Sequence, residues 1–184
     1  MRWPNIIVVL AVMFVATGSA AQSQRQTASS PMSFRLTSSA FASGAAIPRD
    51  YTCEGPDESP ELSWANPPSA AVTLAVVMHD PDAPVGDWVH WVAWNIPSGA
   101  HGVAAKLPKQ DELPDGTRQG RNSFGKIGYN GPCPPPGKPH RYFFRVYAVD
   151  SKLDLAAGAT RGQLDTALKG HVLAQAEYMG TYKR

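Results

Sequence analysis

Charge of either sign is scarce and nearly balanced. Lysine and arginine total 17 against 15 aspartates and glutamates, a formal charge of +2. No basic cluster stands out, so the chain lacks the electrostatic footprint of a nucleic-acid binder. Cysteine is rarer still, with only Cys53 and Cys133. There is no C-x-x-C and no paired Cys/His spacing, which removes the usual zinc patterns. The G-x-S-x-G elbow of many serine hydrolases is also missing. Internal repeats are absent. Long apolar runs are absent too, with one exception at the very start.

That exception is Ile6 to Ala16, eleven almost unbroken apolar residues. Arg2 precedes it, and Thr17-Gly18-Ser19-Ala20-Ala21 follows with small residues. This is the pattern of a secretory signal, and the run is short for a bilayer of ~30 Å. The expectation is a signal peptide over residues 1–21, cleaved after Ala20 or Ala21, rather than an uncleaved anchor. Residues 22–31 are polar and small and read as a flexible leader. Residues 32–184 then suffice for one globular domain with a real core. The mature protein is expected to be soluble and periplasmic or secreted. In an exported chain a lone cysteine pair favours one Cys53–Cys133 disulfide over two buried thiols.

Proline, by contrast, is plentiful, with 17 residues. These cluster outside the apolar runs and so mark shaped loops. Between them lie the strands. Ser33 to Ala40 and Leu62-Ser63-Trp64 have short β character. Val72 to His79 is apolar on both faces and should lie centrally in a sheet. Asp80-Pro81-Asp82-Ala83-Pro84 stops it, since proline cannot continue a central strand. Trp88 to Ile96 is a second strand. Strict alternation puts Trp88, His90, Val92 and Trp94 on one face, with Val89, Trp91 and Ala93 on the other. His101 to Pro139 has no periodicity, and so long a loop is usually functional. His140 to Asp150 is a third strand, with His140, Tyr142, Phe144 and Val146 on one face. Thr160-Arg161-Gly162-Gln163 fits a capping box, with Leu164, Ala167 and Leu168 at helical spacing and Gly170 as a C′ stop. Ala174, Ala176, Tyr178, Gly180 and Tyr182 alternate as a closing strand. The fold class is mostly β, with one or two short helices.

Polar groups from separate segments adjoin the proline-rich turns. Asp80 and Asp82 stand at the end of the first long strand, His90 on the second, and His140 and Tyr142 on one face of the third. Gly131-Pro132 sits in the loop before it. Singly, each has a plain explanation: an Asp before proline forms turns, a strand His among tryptophans fills a core, and a strand-end His-Arg-Tyr is sheet surface. Only jointly do they suggest a site.

Two longer motifs carry a resemblance. Asp80-Pro81-Asp82-Ala83-Pro84, Trp88-Val89-His90-Trp91 and Asn95-Ile96-Pro97 resemble the first signature of the phosphatidylethanolamine-binding protein family, also called Raf-kinase-inhibitor-like. Gly131-Pro132-Cys133-Pro134-Pro135, Gly137 and His140-Arg141-Tyr142-Phe143-Phe144 resemble the second. Ser59-Pro60-Glu61-Leu62-Ser63-Trp64 and Gly180-Thr181-Tyr182 are similar to further family segments. The resemblance spans nearly all of Ser33 to Arg184. Only Val85-Gly86-Asp87 separates Pro84 from Trp88, and little follows Tyr182, so the chain is similar to the bacterial branch. Kinase inhibition does not carry over.

The resemblance implies a central antiparallel β-sheet packed against a second, smaller sheet. It also implies a pocket for phosphate, acetate or a phosphorylated headgroup, built from Asp80, Pro84, Trp88, His90, Gly131, Pro132, His140 and Tyr142. Asp82 matches as well, partly as a brace for the loop. The chemistry is consistent. His90 and His140 donate through ring nitrogens, more strongly when protonated, and Tyr142 offers a hydroxyl. A backbone N–H near Gly131 can approach closely for want of a Cβ. Asp80 can fix a histidine tautomer. The favoured function is binding of a small anion or phosphorylated ligand, with a protein-inhibitory or regulatory role, no cofactor and no catalysis. A hydrolase using the His/Asp/Tyr pocket is the alternative, with Ser123 the nearest nucleophile. A metal site from His79, His90, His140 and Asp80 is a third reading, weakened because His79 alternates away from Asp80. The sequence names no protein partner and leaves a homodimer open.

Overall fold

The computed structural model describes residues 33–184; the signal peptide and leader expected over residues 1–31 lie outside the described residues. In chain order the elements are β1 (Arg35–Thr37), a 3-10 turn (Arg49–Tyr51), β2 (Leu62–Ala65), β3 (Thr73–Asp80), β4 (Trp88–Pro97), β5 (Gly102–Val103), β6 (Arg118–Gln119), β7 (His140–Val149), α1 (Arg161–Ala167) and β8 (Val172–Tyr182). They form a five-stranded sheet in the order β6-β4-β3-β7-β8 and a three-stranded sheet in the order β1-β2-β5. Every pairing within the two sheets is antiparallel. The mostly β, two-sheet architecture expected from the sequence is the one observed.

The periodicity of each strand explains its place. All eight residues of β3 are buried, and β3 is the middle strand. Its Leu74, Val76 and Met78 join a core with Leu36, Leu62 and Trp64 of the smaller sheet and with Tyr142, Phe144 and Val146 of β7. Its Ala75 and Val77 face the other way, into a core with Val92, Trp94, Leu164 and Leu168 beneath α1. A strand apolar on both faces is what a sheet covered on both sides requires. The alternating residues Ala176 and Tyr178 of β8 fall in the first core, as their spacing predicts.

Helix α1 starts where the capping box places it. The Thr160 side chain accepts the Gln163 N–H, and the Gln163 side chain reaches back to the Thr160 N–H, satisfying two of the orphan donors of the first turn. Its end lies slightly differently from the expectation. The C-cap is Leu168, and the left-handed residue Gly170, at φ 82°, stands one position beyond C′.

Strand β4 departs from strict alternation. Met78 pairs with Trp91 but His79 pairs with Val89, so the ladder skips His90. This β-bulge turns the His90 ring toward Tyr142 of β7, away from Val92 and Trp94 in the other core. The expected common face of Trp88, His90, Val92 and Trp94 is therefore split at the bulge. Bulges re-aim side chains in this way. Because β3 runs antiparallel to both neighbours, its C-terminal end meets the N-terminal ends of β4 and β7. Asp80, Trp88, His90, His140 and Tyr142 are thereby gathered at one end of the sheet.

Candidate functional site

At that end lies a cavity of about 250 Å³. Asp80, His90, His140 and Tyr142 supply its polar surface; Pro84 and Trp88 supply expected wall. Ala83, Val85, Phe124, Cys133, Pro134 and Pro135 complete it; none of these is expected from sequence as a pocket residue, although Cys133, Pro134 and Pro135 belong to the second signature. Phe124 packs edge-on against both Trp88 and His90, at 5.4 and 5.3 Å between ring centroids. The result is a polar floor under an apolar rim, on which Val85 is 77% exposed.

The floor is held by hydrogen bonds that leave particular atoms unspent. His140 Nδ1 lies 2.8 Å from Asp80 Oδ2, both side chains being buried. The other Asp80 oxygen, Oδ1, accepts the Asp82 N–H at 2.8 Å. Asp80 thus fixes the His140 tautomer, as the sequence suggested. His90 Nδ1 donates to the Asn130 carbonyl at 2.7 Å, and the ring is almost wholly buried. Burial lowers its pKa, outweighing the pull of the Asn130 carbonyl, the Asp80 charge, the Gly131 backbone and the Asp57 charge. The Tyr142 hydroxyl, approached by the Asp80 carboxylate as acceptor, is buried and makes no well-formed hydrogen bond among the described residues. Burial, and after it the negative charge of Asp80, raises its pKa strongly, so it remains a donor.

Three expected residues serve the scaffold instead of the cavity surface. Asp82 clamps Arg141: its Oδ2 accepts the Arg141 Nε and backbone N–H at 2.9 Å each, and Oδ1 accepts NH2 at 2.7 Å. That guanidinium holds the Asp82 carboxyl far below the usual range. The brace predicted for the loop is this two-pronged pair. Gly131 does not offer its amide to a ligand, because that N–H donates to Asp57 Oδ1 at 2.6 Å. Its missing Cβ serves packing, since a Cβ there would lie 2.0 Å from the Tyr51 carbonyl oxygen. Pro132 accepts the Cys53 N–H at 3.1 Å, behind the wall. The disulfide itself joins Cys53 and Cys133 as expected.

The competing chemistries fare differently. Ser123 Oγ accepts the Val89 N–H at 2.9 Å and lies off the cavity surface, so it is no nucleophile for this site. His79 bonds Asp87 and packs on Phe143, turned away from the cavity, and the four-residue metal set is not assembled. Among the described residues no three His, Cys, Asp or Glu side chains converge on a metal-sized point. The residues missed from sequence include Asp57, which anchors both Gly131 and Asn130, and Asn130, which orients His90. Asp57 has a positive φ of 58°; an Asp in a Gly-Pro-Asp turn tolerates that geometry, and nothing more in the sequence marks it.

Comparison with known proteins agrees with this architecture. The model of the phosphatidylethanolamine-binding protein family matches residues 37–183. A UPF0098 protein of Methanothermobacter thermautotrophicus is 48% identical over 149 residues, covering 81% of this chain and 98% of that relative. The crystal structure of a putative phosphatidylethanolamine-binding protein homologue from Chlamydia trachomatis superposes with a TM-score of 0.75 at 39% identity, covering 82% of this chain and 97% of that one. Escherichia coli YbcL, described as a new member of the mammalian PEBP family, gives 0.77 at 34% identity, covering 82% of this chain and 98% of its own. With nearly the whole described domain matched, and with both signature segments converging on one cavity, the chain belongs to the phosphatidylethanolamine-binding protein family.

Proposed function

We propose that this is an exported binding protein whose cavity takes a small anion or a phosphorylated group, and that occupancy of the cavity, with a regulatory consequence, is its output. One observation carries the reading: Tyr142 lines the cavity, and its buried hydroxyl makes no well-formed hydrogen bond among the described residues, with only the Asp80 carboxylate approaching it. Leaving such a group unpaired costs roughly 1–3 kcal/mol, which a ligand oxygen accepting its proton recovers. His140 also lines the cavity; its Nε2 is the ring nitrogen that the Asp80 pairing leaves free, and it donates when the ring is protonated. The apolar rim lowers the local dielectric and strengthens each of these bonds.

Calorimetry with inorganic phosphate and phosphorylethanolamine tests the reading. Binding is expected to the native protein. Tyr142→Phe keeps the ring in the core and removes only the hydroxyl. Loss of a hydrogen bond to a charged group weakens affinity by roughly 1.5–3 kcal/mol, about ten- to a hundredfold. Absence of binding by either probe, or an unchanged affinity in Tyr142→Phe, would overturn it.

Export rests on the apolar run Ile6 to Ala16 and the small residues after it. Expressed with its full leader in a bacterium, the chain is expected in the periplasm with Ala21 or Gln22 as its first residue. Edman sequencing of the released protein checks this, and Met1 retained in a membrane fraction contradicts it.

A further inference from the structure

The two imidazoles of the cavity are not equivalent. His140 is paired with a carboxylate through Nδ1. His90 is paired through Nδ1 with a neutral backbone carbonyl, that of Asn130. A carbonyl only accepts, so the His90 proton sits on Nδ1. Its Nε2 then carries a bare lone pair, and this atom has no hydrogen-bond partner among the described residues. Asn130 cannot shift to relieve the arrangement. Its own N–H donates to the His90 carbonyl at 3.0 Å. Its side chain donates to Asp57 and accepts from Asn122. The ring is further held edge-on between Tyr142 and Phe124. No lysine or arginine lines the cavity.

We infer that His90 is a selectivity residue, which accepts a proton from the ligand and so favours a tetrahedral oxyanion that still carries one, such as hydrogenphosphate, over a fully deprotonated one such as sulfate. The inference rests on the anion-binding reading of the cavity and adds to it a requirement on the ligand. A bare imidazole lone pair facing an oxyanion oxygen without a hydrogen is two acceptors in contact, in a nearly dry site. The same lone pair facing a P–OH is a hydrogen bond. Sulfate and hydrogenphosphate share size, shape and charge, and differ in that proton. A sulfate ion escapes the clash only if His90 takes up a second proton from solvent at Nε2. Asp80 and Asp57 are the charges that favour this, and burial of the ring opposes and outweighs them.

Calorimetric titration of the intact protein with sodium phosphate and with sodium sulfate, at pH 7 and equal ionic strength, reads the difference. Phosphate is expected to bind at least about tenfold more tightly, the worth of one hydrogen bond to a charged group. His90→Phe keeps a flat ring and deletes the lone pair, and is expected to bring the ratio toward one. Circular dichroism establishes that this variant is folded, and the ratio in the unaltered protein decides the matter on its own if it is not. Equal affinities for the two anions would overturn the selectivity role while leaving the binding function standing. Binding of neither anion would remove the binding function and this inference with it.

Discussion

Replacing both Cys53 and Cys133 by serine is expected to lower the stability of the domain by about 4–5 kcal/mol while leaving its fold intact. The two cysteines are 80 residues apart in sequence. In the chain-entropy model a cross-link closing a loop of that length removes enough freedom from the unfolded chain to give this figure. Native strain would reduce it, but the Cα–Cα distance of 5.4 Å lies in the ordinary range for an unforced bridge. The native segments do not depend on the bridge to meet. The Cys53 N–H donates to the Pro132 carbonyl, the Tyr129 hydroxyl donates to the Tyr51 carbonyl at 2.6 Å, and Asp57 holds Asn130 and Gly131. These bonds exist only in the folded state, so they position the segments without restricting the unfolded ensemble. Urea unfolding followed by fluorescence of Trp64, Trp88, Trp91 and Trp94 measures the loss. The slope with denaturant should rise, because the uncrosslinked unfolded chain exposes more surface. A loss below about 1 kcal/mol would show that the unfolded chain is already restricted in this region.

Three of the long strands, unlike the bulged Trp88–Pro97, are legible because each obeys a simple period. Thr73–Asp80 and His140–Val149 pair with each other in unbroken register, and Ala174 to Tyr182 keeps register with His140–Ala148 up to the shift at Val149, so their alternation predicts which side chains meet. The helix was legible from Thr160 and Gln163, since a capping box is a local device that needs no tertiary partner. What the sequence concealed is held by side-chain bonds between distant segments. The stretch from His101 to Pro139 contains only two two-residue strands. Gln119 fastens it by accepting the Trp91 indole N–H and donating to the carbonyls of Pro108 and Gln110. Asn122 does the same through Gly128 and Asn130. No periodic pattern accompanies a bond of that kind. The site was legible in its floor and less so in its walls. Asp80, His140 and Tyr142 sit at strand ends where period two is reliable. His90 belongs to the floor for a different reason than alternation gives, because a bulge re-aims it. Gly131 in the sequence suggests an open approach to a ligand, yet the same missing Cβ admits the Tyr51 backbone. A glycine marks a close approach without saying what approaches.

Asp80→Ala is expected to cost about 3 kcal/mol of stability, and Asp80→Asn to cost much less while inverting the tautomer of His140. The carboxylate is buried and spends both oxygens, one on His140 Nδ1 and one on the Asp82 N–H. Removing the carboxylate leaves the buried His140 Nδ1–H without its acceptor, at roughly 1–3 kcal/mol for an unpaired buried donor. Loss of the Asp82 N–H bond, about 1 kcal/mol, also loosens the turn that carries Pro84 and Val85 into the cavity wall. Asparagine keeps the shape and one acceptor. Because the Asp82 N–H still requires an oxygen, the amide NH₂ must face His140. Two donors cannot share a hydrogen bond, so Nδ1 gives up its proton and the neutral ring carries it on Nε2 instead. Nitrogen-15 chemical shifts of the His140 ring, taken where the imidazole is neutral, report which nitrogen is protonated. Nδ1 is expected in the native protein and Nε2 in Asp80→Asn. In the variant the neutral ring then points an Nε2–H into the cavity, where the neutral native ring keeps its proton on Nδ1. The same tautomer in both proteins would mean that the ring, and with it the donor pattern of the cavity, is set by something other than Asp80.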